Sequence, residues 1–272
     1  MSADIDYEVE YNNRARVPEN PAIMSGWARD AAAYRERHAP RVMAYGPGAR
    51  NSIDLFPGND EGPVVVFIHG GYWQALDGSF FSHLAGGLNA HGVSVAVPSY
   101  DLCPAVTVDE IIRQMRMASR ELARLGRSLV ISGHSAGGHL AACMLATDWQ
   151  AFDASLPGDP VIAAYAISGL FELGPLVGTS INKAMGLDAA TARAASPLFW
   201  KAPARGSLDA VVGENESAEY FRQSRTIVEH WRAAGVATRF GVVAGANHFT
   251  AIAPLADPQS PMVARLMELA RR

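Results

Sequence analysis

The sequence predicts an α/β fold, a mostly parallel, doubly wound sheet of about eight strands with helices on both faces and a short cap. Three observations carry that expectation. From Gly62 onward, short apolar runs alternate with amphipathic helical stretches, the pattern of β-α-β units. One run meets a glycine-rich turn, Ser128-Leu-Val-Ile-Ser-Gly-His-Ser-Ala-Gly-Gly-His139, and continues straight into an alanine-rich helix. Finally, a chain of 272 residues with 49% hydrophobic side chains can bury about three quarters of its unfolded surface, so a single domain over 1–272 needs neither disulfides nor metal.

Taken in order, residues 1–40 read as an N-terminal arm packed on the domain. Its helical stretch runs from Ser25 to Arg37, with Ser25 as the expected N-cap. Arg41 to Phe56 gives two short antiparallel edge strands around the turn Gly46-Pro47-Gly48, with Ile53 and Leu55 alternating against polar neighbours. Val64 to Ile68 is a buried strand, followed by a helical stretch to His91 and a further strand from Val93. Thr107 to Leu125 is an amphipathic helix with Asp109 and Glu110 in its first turn and Gly126 past its end. Leu129 to Ile131 supply the strand before the turn, and Leu140 to Leu145 the helix after it.

Beyond that helix come strands at Val161, Leu208 and Thr238, a helix ending at Ala234, and a last helix from Pro261. The stretch 169–202 is too long and irregular for an ordinary connection. It leaves the carboxyl end of a strand, where ligands bind in open α/β sheets, and it reads as a small cap.

Composition excludes several classes of function. A net charge of −4 leaves no basic footprint for nucleic acid or an anionic membrane. The acidic start Met-Ser-Ala-Asp-Ile-Asp-Tyr-Glu is no signal peptide, and no apolar run reaches membrane-spanning length, so a soluble, cytoplasmic protein is expected. Cys103 and Cys143 are too few for a disulfide framework or a structural zinc site, and Cys143 reads as a small core residue. No metal and no cofactor is expected; the partner is a small molecule.

The glycines two residues either side of Ser135 allow a sharp strand-to-helix turn that holds the serine strained and exposed at a helix N-terminus. A serine hydroxyl needs a base, an acid to orient that base, and donors for the oxyanion. His248, in Gly245-Ala-Asn-His-Phe after the last strand, is placed to be the base, and none of the other histidines competes. Val211-Val-Gly-Glu-Asn-Glu-Ser offers two acids at the end of the preceding strand: Glu216, the choice, and Glu214 as the alternative. His69-Gly-Gly-Tyr-Trp is a glycine loop whose Gly71 and Tyr72 N–H groups are expected to join that of Ala136 around the oxyanion, with His69 bracing the loop. Tyr72 and Trp73 are candidate walls of the substrate pocket.

With these residues in view, the chain resembles the α/β-hydrolase superfamily throughout, including its order of serine, acid and histidine. Within it, the chain is similar to the arylformamidase (kynurenine formamidase) family and its bacterial esterase-like relatives. The matches are His69-Gly-Gly-Tyr-Trp, where that family has HGGxW, and Gly133-His-Ser-Ala-Gly-Gly at the nucleophile. Further matches are Glu216-Ser-Ala-Glu-Tyr-Phe-Arg-Gln-Ser at the acid loop, Asn247-His-Phe at the histidine loop, Ile181-Asn-Lys-Ala-Met-Gly-Leu-Asp and Tyr11-Asn-Asn-Arg. The resemblance implies Ser135 as nucleophile and His248 as general base. Glu216 departs from it, standing where the family usually carries aspartate. The implied activity is hydrolysis of a small amide or ester, with an aryl formamide such as N-formylkynurenine as leading substrate and a short-chain carboxylic ester as the alternative; a non-catalytic binding protein on the same fold would lack a member of the serine, acid and histidine set.

Overall fold

In the computed structural model, which describes residues 5–59, 61–156 and 158–271, eight strands form one sheet. These are β1 (Arg41–Ala44), β2 (Ser52–Phe56), β3 (Val64–Ile68), β4 (Val95–Pro98), β5 (Leu129–His134), β6 (Val161–Ile167), β7 (Ser207–Gly213) and β8 (Ala237–Val243). Their order across the sheet is β1-β2-β4-β3-β5-β6-β7-β8. β1 pairs with β2, and β2 with β4, antiparallel; every other pair is parallel.

The parallel strands read as unbroken apolar runs because both of their faces are covered. Successive side chains point to opposite faces, so β3 divides its residues: Val64, Val66 and Ile68 enter one core, and Val65 and Phe67 the other. β7 divides in the same way, with Leu208, Ala210 and Val212 opposed by Val211. At the edge, β8 is only half covered and its pattern is correspondingly mixed.

The arm holds α1 (Tyr7–Tyr11), α2 (Asn13–Arg16) and α3 (Asn20–Arg37), while its first four residues lie outside the described residues. Here the structure corrects the sequence reading: α3 begins five residues before Ser25, which lies inside it. Pro21 falls in the first turn, where its missing N–H has no helical partner to lose, and Ala22 donates to the Glu19 carbonyl at 3.0 Å instead. The stretch expected to be helical before His91 is mainly a 3-10 helix, Gly78–Ala85, which passes into α4 (Gly86–Asn89). Gly78, Phe81 and Leu84 are buried three residues apart, the repeat that lines up along one side of a 3-10 helix.

α5 (Val108–Ala123) buries Val108, Ile111, Ile112, Met115, Ala118 and Leu122 on one stripe, and the Thr107 hydroxyl oxygen accepts the Glu110 N–H at 3.2 Å. α6 (Ala136–Leu145) is buried all round, as its small and apolar residues allow. After α7 (Trp149–Phe152), the segment 169–202 contains 3-10 turns at Gly174–Leu176 and Pro197–Phe199 around α8 (Asn182–Met185) and α9 (Ala189–Ala194). α10 (Ala218–Ala233) and α11 (Pro261–Ala270) complete the chain.

The helices α5, α6 and α10 share one core, while α3, the 3-10 helix and α11 share the core on the opposite face. Both Cys103 and Cys143 are buried thiols. Among the described residues no helix is long and apolar enough to cross a membrane.

Candidate active site

β5 hands Ser135 to α6 through a turn in which the serine sits at φ 56° and ψ −117°. A residue with a side chain rarely adopts this conformation, which costs on the order of 1–3 kcal/mol. Backbone packing enforces it. A Cβ at Gly137 would stand 1.9 Å from the Ile68 carbonyl oxygen, so only glycine lets α6 approach β3 this closely. The Ser135 N–H donates to the Ile167 carbonyl on β6 at 2.8 Å. The hydroxyl is thereby fixed at the start of α6, where the first-turn N–H groups and the helix dipole favour negative charge.

His248 descends from the loop after β8. Asn247 shapes that loop, its side-chain oxygen accepting the N–H groups of Phe249 at 2.9 Å and Thr250 at 3.0 Å. His248 Nδ1 lies 2.6 Å from Glu216 Oε2. A carboxylate only accepts, so Nδ1 carries the hydrogen and Nε2 keeps its lone pair. The other oxygen of Glu216 accepts from the Gly213 N–H at 2.6 Å and the Ser168 hydroxyl at 2.5 Å. Of the two acids that the sequence offered, Glu216 is the one that meets the imidazole. Glu214 is exposed and accepts the Gly245 N–H at 2.7 Å.

The glycine loop runs against Ser135: a Cβ at Gly70 would stand 3.0 Å from that of the serine. Three successive residues of the loop are left-handed, Gly71 at φ 107°, Tyr72 at 50° and Trp73 at 57°. Among the described residues no backbone or side-chain acceptor takes the N–H of Gly71, Tyr72 or Ala136. His69 sits wholly buried behind the loop, its ring stacked on Tyr100 at 4.1 Å with 1° between the planes, and Nδ1 at 2.7 Å from the Gly70 carbonyl oxygen. Burial lowers its pKa to about 4, so it braces the loop as a neutral ring.

Trp73 needs correction as a pocket wall. It is wholly buried in the core with its ring edge-on to His139 at 5.0 Å, and it does not reach the cavity beside Ser135. A left-handed Tyr72 turns the next side chain inward, away from the side that Tyr72 itself lines.

That cavity, of about 380 Å³, opens on Ser135 and His248. Trp27, Phe81 and Phe249 contribute aromatic surface to it, and Tyr11, Asn13 and Arg14 bring the arm into its wall. Of the segment 169–202, Ile181 lines it. Arg14 is the one permanently charged lining residue among the described residues, and no carboxylate lines the cavity there.

Sequence reasoning missed two groups. His134, beside the serine in the motif, does not compete as the base, yet its Nε2 donates to the His248 carbonyl at 2.8 Å and the two rings lie 4.7 Å apart. Burial, with His248 next to it, holds its pKa well below the usual histidine value. Position alone could have flagged it. The second group is a set of hydroxyls, Tyr11, Tyr72 and Tyr220, for which no local signal exists because the partners are up to 212 residues apart.

The chain has relatives among proteins of known sequence and structure. The kynurenine formamidase of Danio rerio is 27% identical over 239 residues, covering 84% of this chain and 80% of that protein. That of Drosophila melanogaster is 29% identical over 225 residues, covering 77% and 74%. Among solved structures, that of a proposed thioesterase from Silicibacter sp. TM1040 superposes with a TM-score of 0.84 at 34% identity, covering 96% of this chain and 98% of that one. Residues 65–270 match the sequence family described as the alpha/beta hydrolase family. The match runs from the first parallel strand to the last helix, through Ser135, Glu216 and His248, and the chain is an enzyme of the alpha/beta hydrolase family.

Proposed function

We propose that this enzyme is a serine hydrolase that cleaves an aryl formamide of the N-formylkynurenine type through a formyl-enzyme. The observation that carries the reading is a strained serine facing the same cavity as an imidazole whose Nδ1 is held at 2.6 Å by a buried carboxylate. Ser135 Oγ attacks the formyl carbon as His248 Nε2 takes its proton. The Glu216 carboxylate stabilises the imidazolium that results. The N–H groups of Gly71, Tyr72 and Ala136 receive the oxyanion; one such donor is typically worth about 100-fold to 1,000-fold in kcat. His248 then returns the proton to the departing aryl amine, the C–N bond breaks, and water attacks the formyl-serine with His248 again as base. Formate leaves and Ser135 regains its hydrogen.

The formamide is favoured over other acyl compounds because the relatives that match four fifths of the chain are kynurenine formamidases. The cavity is compatible with it, offering aromatic surface from Trp27, Phe81 and Phe249 and one cation, Arg14, to a leaving group that bears a ring and a carboxylate. The test is steady-state hydrolysis of N-formylkynurenine beside short-chain nitrophenyl esters and an acetyl thioester, with Ser135→Ala as control. We expect kcat/KM for the formamide to exceed that for the esters, and the variant to be inactive. Good ester or thioester turnover with no formamide cleavage would keep the serine chemistry and withdraw the substrate.

A further inference from the structure

Tyr72 is held from its far end. Its hydroxyl donates to the Tyr11 carbonyl at 2.7 Å and stands 2.8 Å from the Tyr220 hydroxyl, while Asn13 Nδ2 lies 2.8 Å from Tyr220 Oη and 3.2 Å from Tyr72 Oη. Counting hydrogens fixes the directions. The hydrogen of Tyr72 is committed to the Tyr11 carbonyl, so Tyr220 must donate to Tyr72, and the Asn13 amide donates to both hydroxyls. Burial pushes both phenols up in pKa, so both stay protonated.

This set touches both halves of the catalytic apparatus. Tyr72 carries one of the N–H groups assigned to the oxyanion, and it sits at φ 50° beside Trp73 at φ 57°, two adjacent non-glycine residues in a conformation that surroundings must enforce. Tyr220 packs its ring against the His248 imidazole, with 4.7 Å between centroids and 43° between planes. The arm is anchored independently. The Tyr11 hydroxyl donates to Glu219 at 2.7 Å and accepts from Gln223 Nε2 at 2.7 Å, and the Gln223 side-chain oxygen accepts the N–H groups of Phe171 and Glu172 at 2.6 and 2.8 Å. Asn13 is therefore presented from a fixed base.

We propose that Asn13 is a positioning residue: by bonding the Tyr72 and Tyr220 hydroxyls at once, it holds the oxyanion loop and the His248 imidazole in register with Ser135, making the N-terminal arm part of the catalytic apparatus. The proposal rests on the hydrolase reading above. Because Asn13 acts on the two groups that serve the transition state, its loss falls on kcat rather than KM. A misplacement of about 1 Å in such a site can cost about 100-fold.

The experiment compares wild type with Asn13→Leu, Tyr72→Phe and the double variant, using the best ester or formamide substrate. Leucine keeps the branched outline of asparagine without its donors. Active sites are titrated with a fluorophosphonate, so that kcat is expressed per competent serine, and thermal midpoints are recorded. We expect Asn13→Leu to lower kcat per titrated site by about tenfold or more with KM within about twofold, and to add less than about threefold in the Tyr72→Phe background. Unchanged kcat per titrated site, a rise in KM with a lowered thermal midpoint alone, or fully multiplicative effects in the double variant would overturn the proposal. If wild type itself neither turns over substrate nor takes up the fluorophosphonate, the hydrolase reading fails and the proposal with it; an active wild type matched by Asn13→Leu sinks the proposal alone.

Discussion

Glu216 spends its carboxylate entirely on donors from three places, the His248 imidazole, the Ser168 hydroxyl and the Gly213 N–H. An amide at this position could satisfy the geometry of only some of them. Glutamine would turn an N–H toward a ring nitrogen that already carries hydrogen, forcing the other tautomer and blocking Nε2 as a base. For Glu216→Gln we expect kcat to fall by about 100-fold to 10,000-fold. Glu214→Gln, exposed and bonded among the described residues to the Gly245 N–H, should stay within about twofold of wild type. Steady-state rates on titrated enzyme check both, and the reverse order would make Glu214 the acid. The same residue shows what local sequence cannot settle. Both acids lie in one short loop, and which of them turns inward is decided by the Glu216 N–H closing onto the Gly213 carbonyl at 3.2 Å, a turn that no propensity dictates.

The elements were legible wherever burial imposes a period. β3 and β7 are apolar on both faces because two cores meet there, and α5 shows a stripe because only one of its faces is covered. Legibility failed where a contact made elsewhere overrides the local signal. Ser25 had the chemistry of a cap, but Pro21 suits a first turn equally well and the helix took the earlier start. Trp73 followed a strand as pocket residues do, yet consecutive left-handed residues sent it into the core. The most demanding junction is that of β3, β5 and α6. In Gly137→Ala the added methyl would meet the backbone oxygen of Ile68 at 1.9 Å, and neither the strand nor the helix can yield without moving Ser135. We expect this variant to lose activity by about 100-fold or more and to unfold at lower urea than wild type. Near-normal activity on titrated sites would mean that the junction is looser than its packing indicates.

On the scale of the molecule, several histidines are stored uncharged. His69 and His139 are wholly buried, and burial lowers each to a pKa of about 4; His134 is also driven well below its usual value. An unfolded chain titrates them near 6.5. Between about pH 6.5 and pH 4 the unfolded chain therefore binds more protons than the folded one, and stability must fall as pH falls. It is complete above about pH 6.5, and each histidine can withdraw up to about 3 kcal/mol by pH 4. Urea midpoints at about pH 7.5 and pH 5 should show a clear drop at the lower value. An unchanged midpoint would mean that these rings take up protons without leaving the folded state.

The bond between the arm and α10 also sets a timetable. Tyr11 and Asn13 find their partners at Glu219 and Tyr220, more than 200 residues later in the chain. At synthesis rates of about 5–20 residues per second, the arm leaves the ribosome on the order of 10–40 s before α10 exists to receive it. During that interval Trp27, which ends up buried with its ring 6.0 Å from that of Phe249, lacks that part of its cover. The nascent chain thus lacks the His248 imidazole and its Glu216 partner until its last third is made.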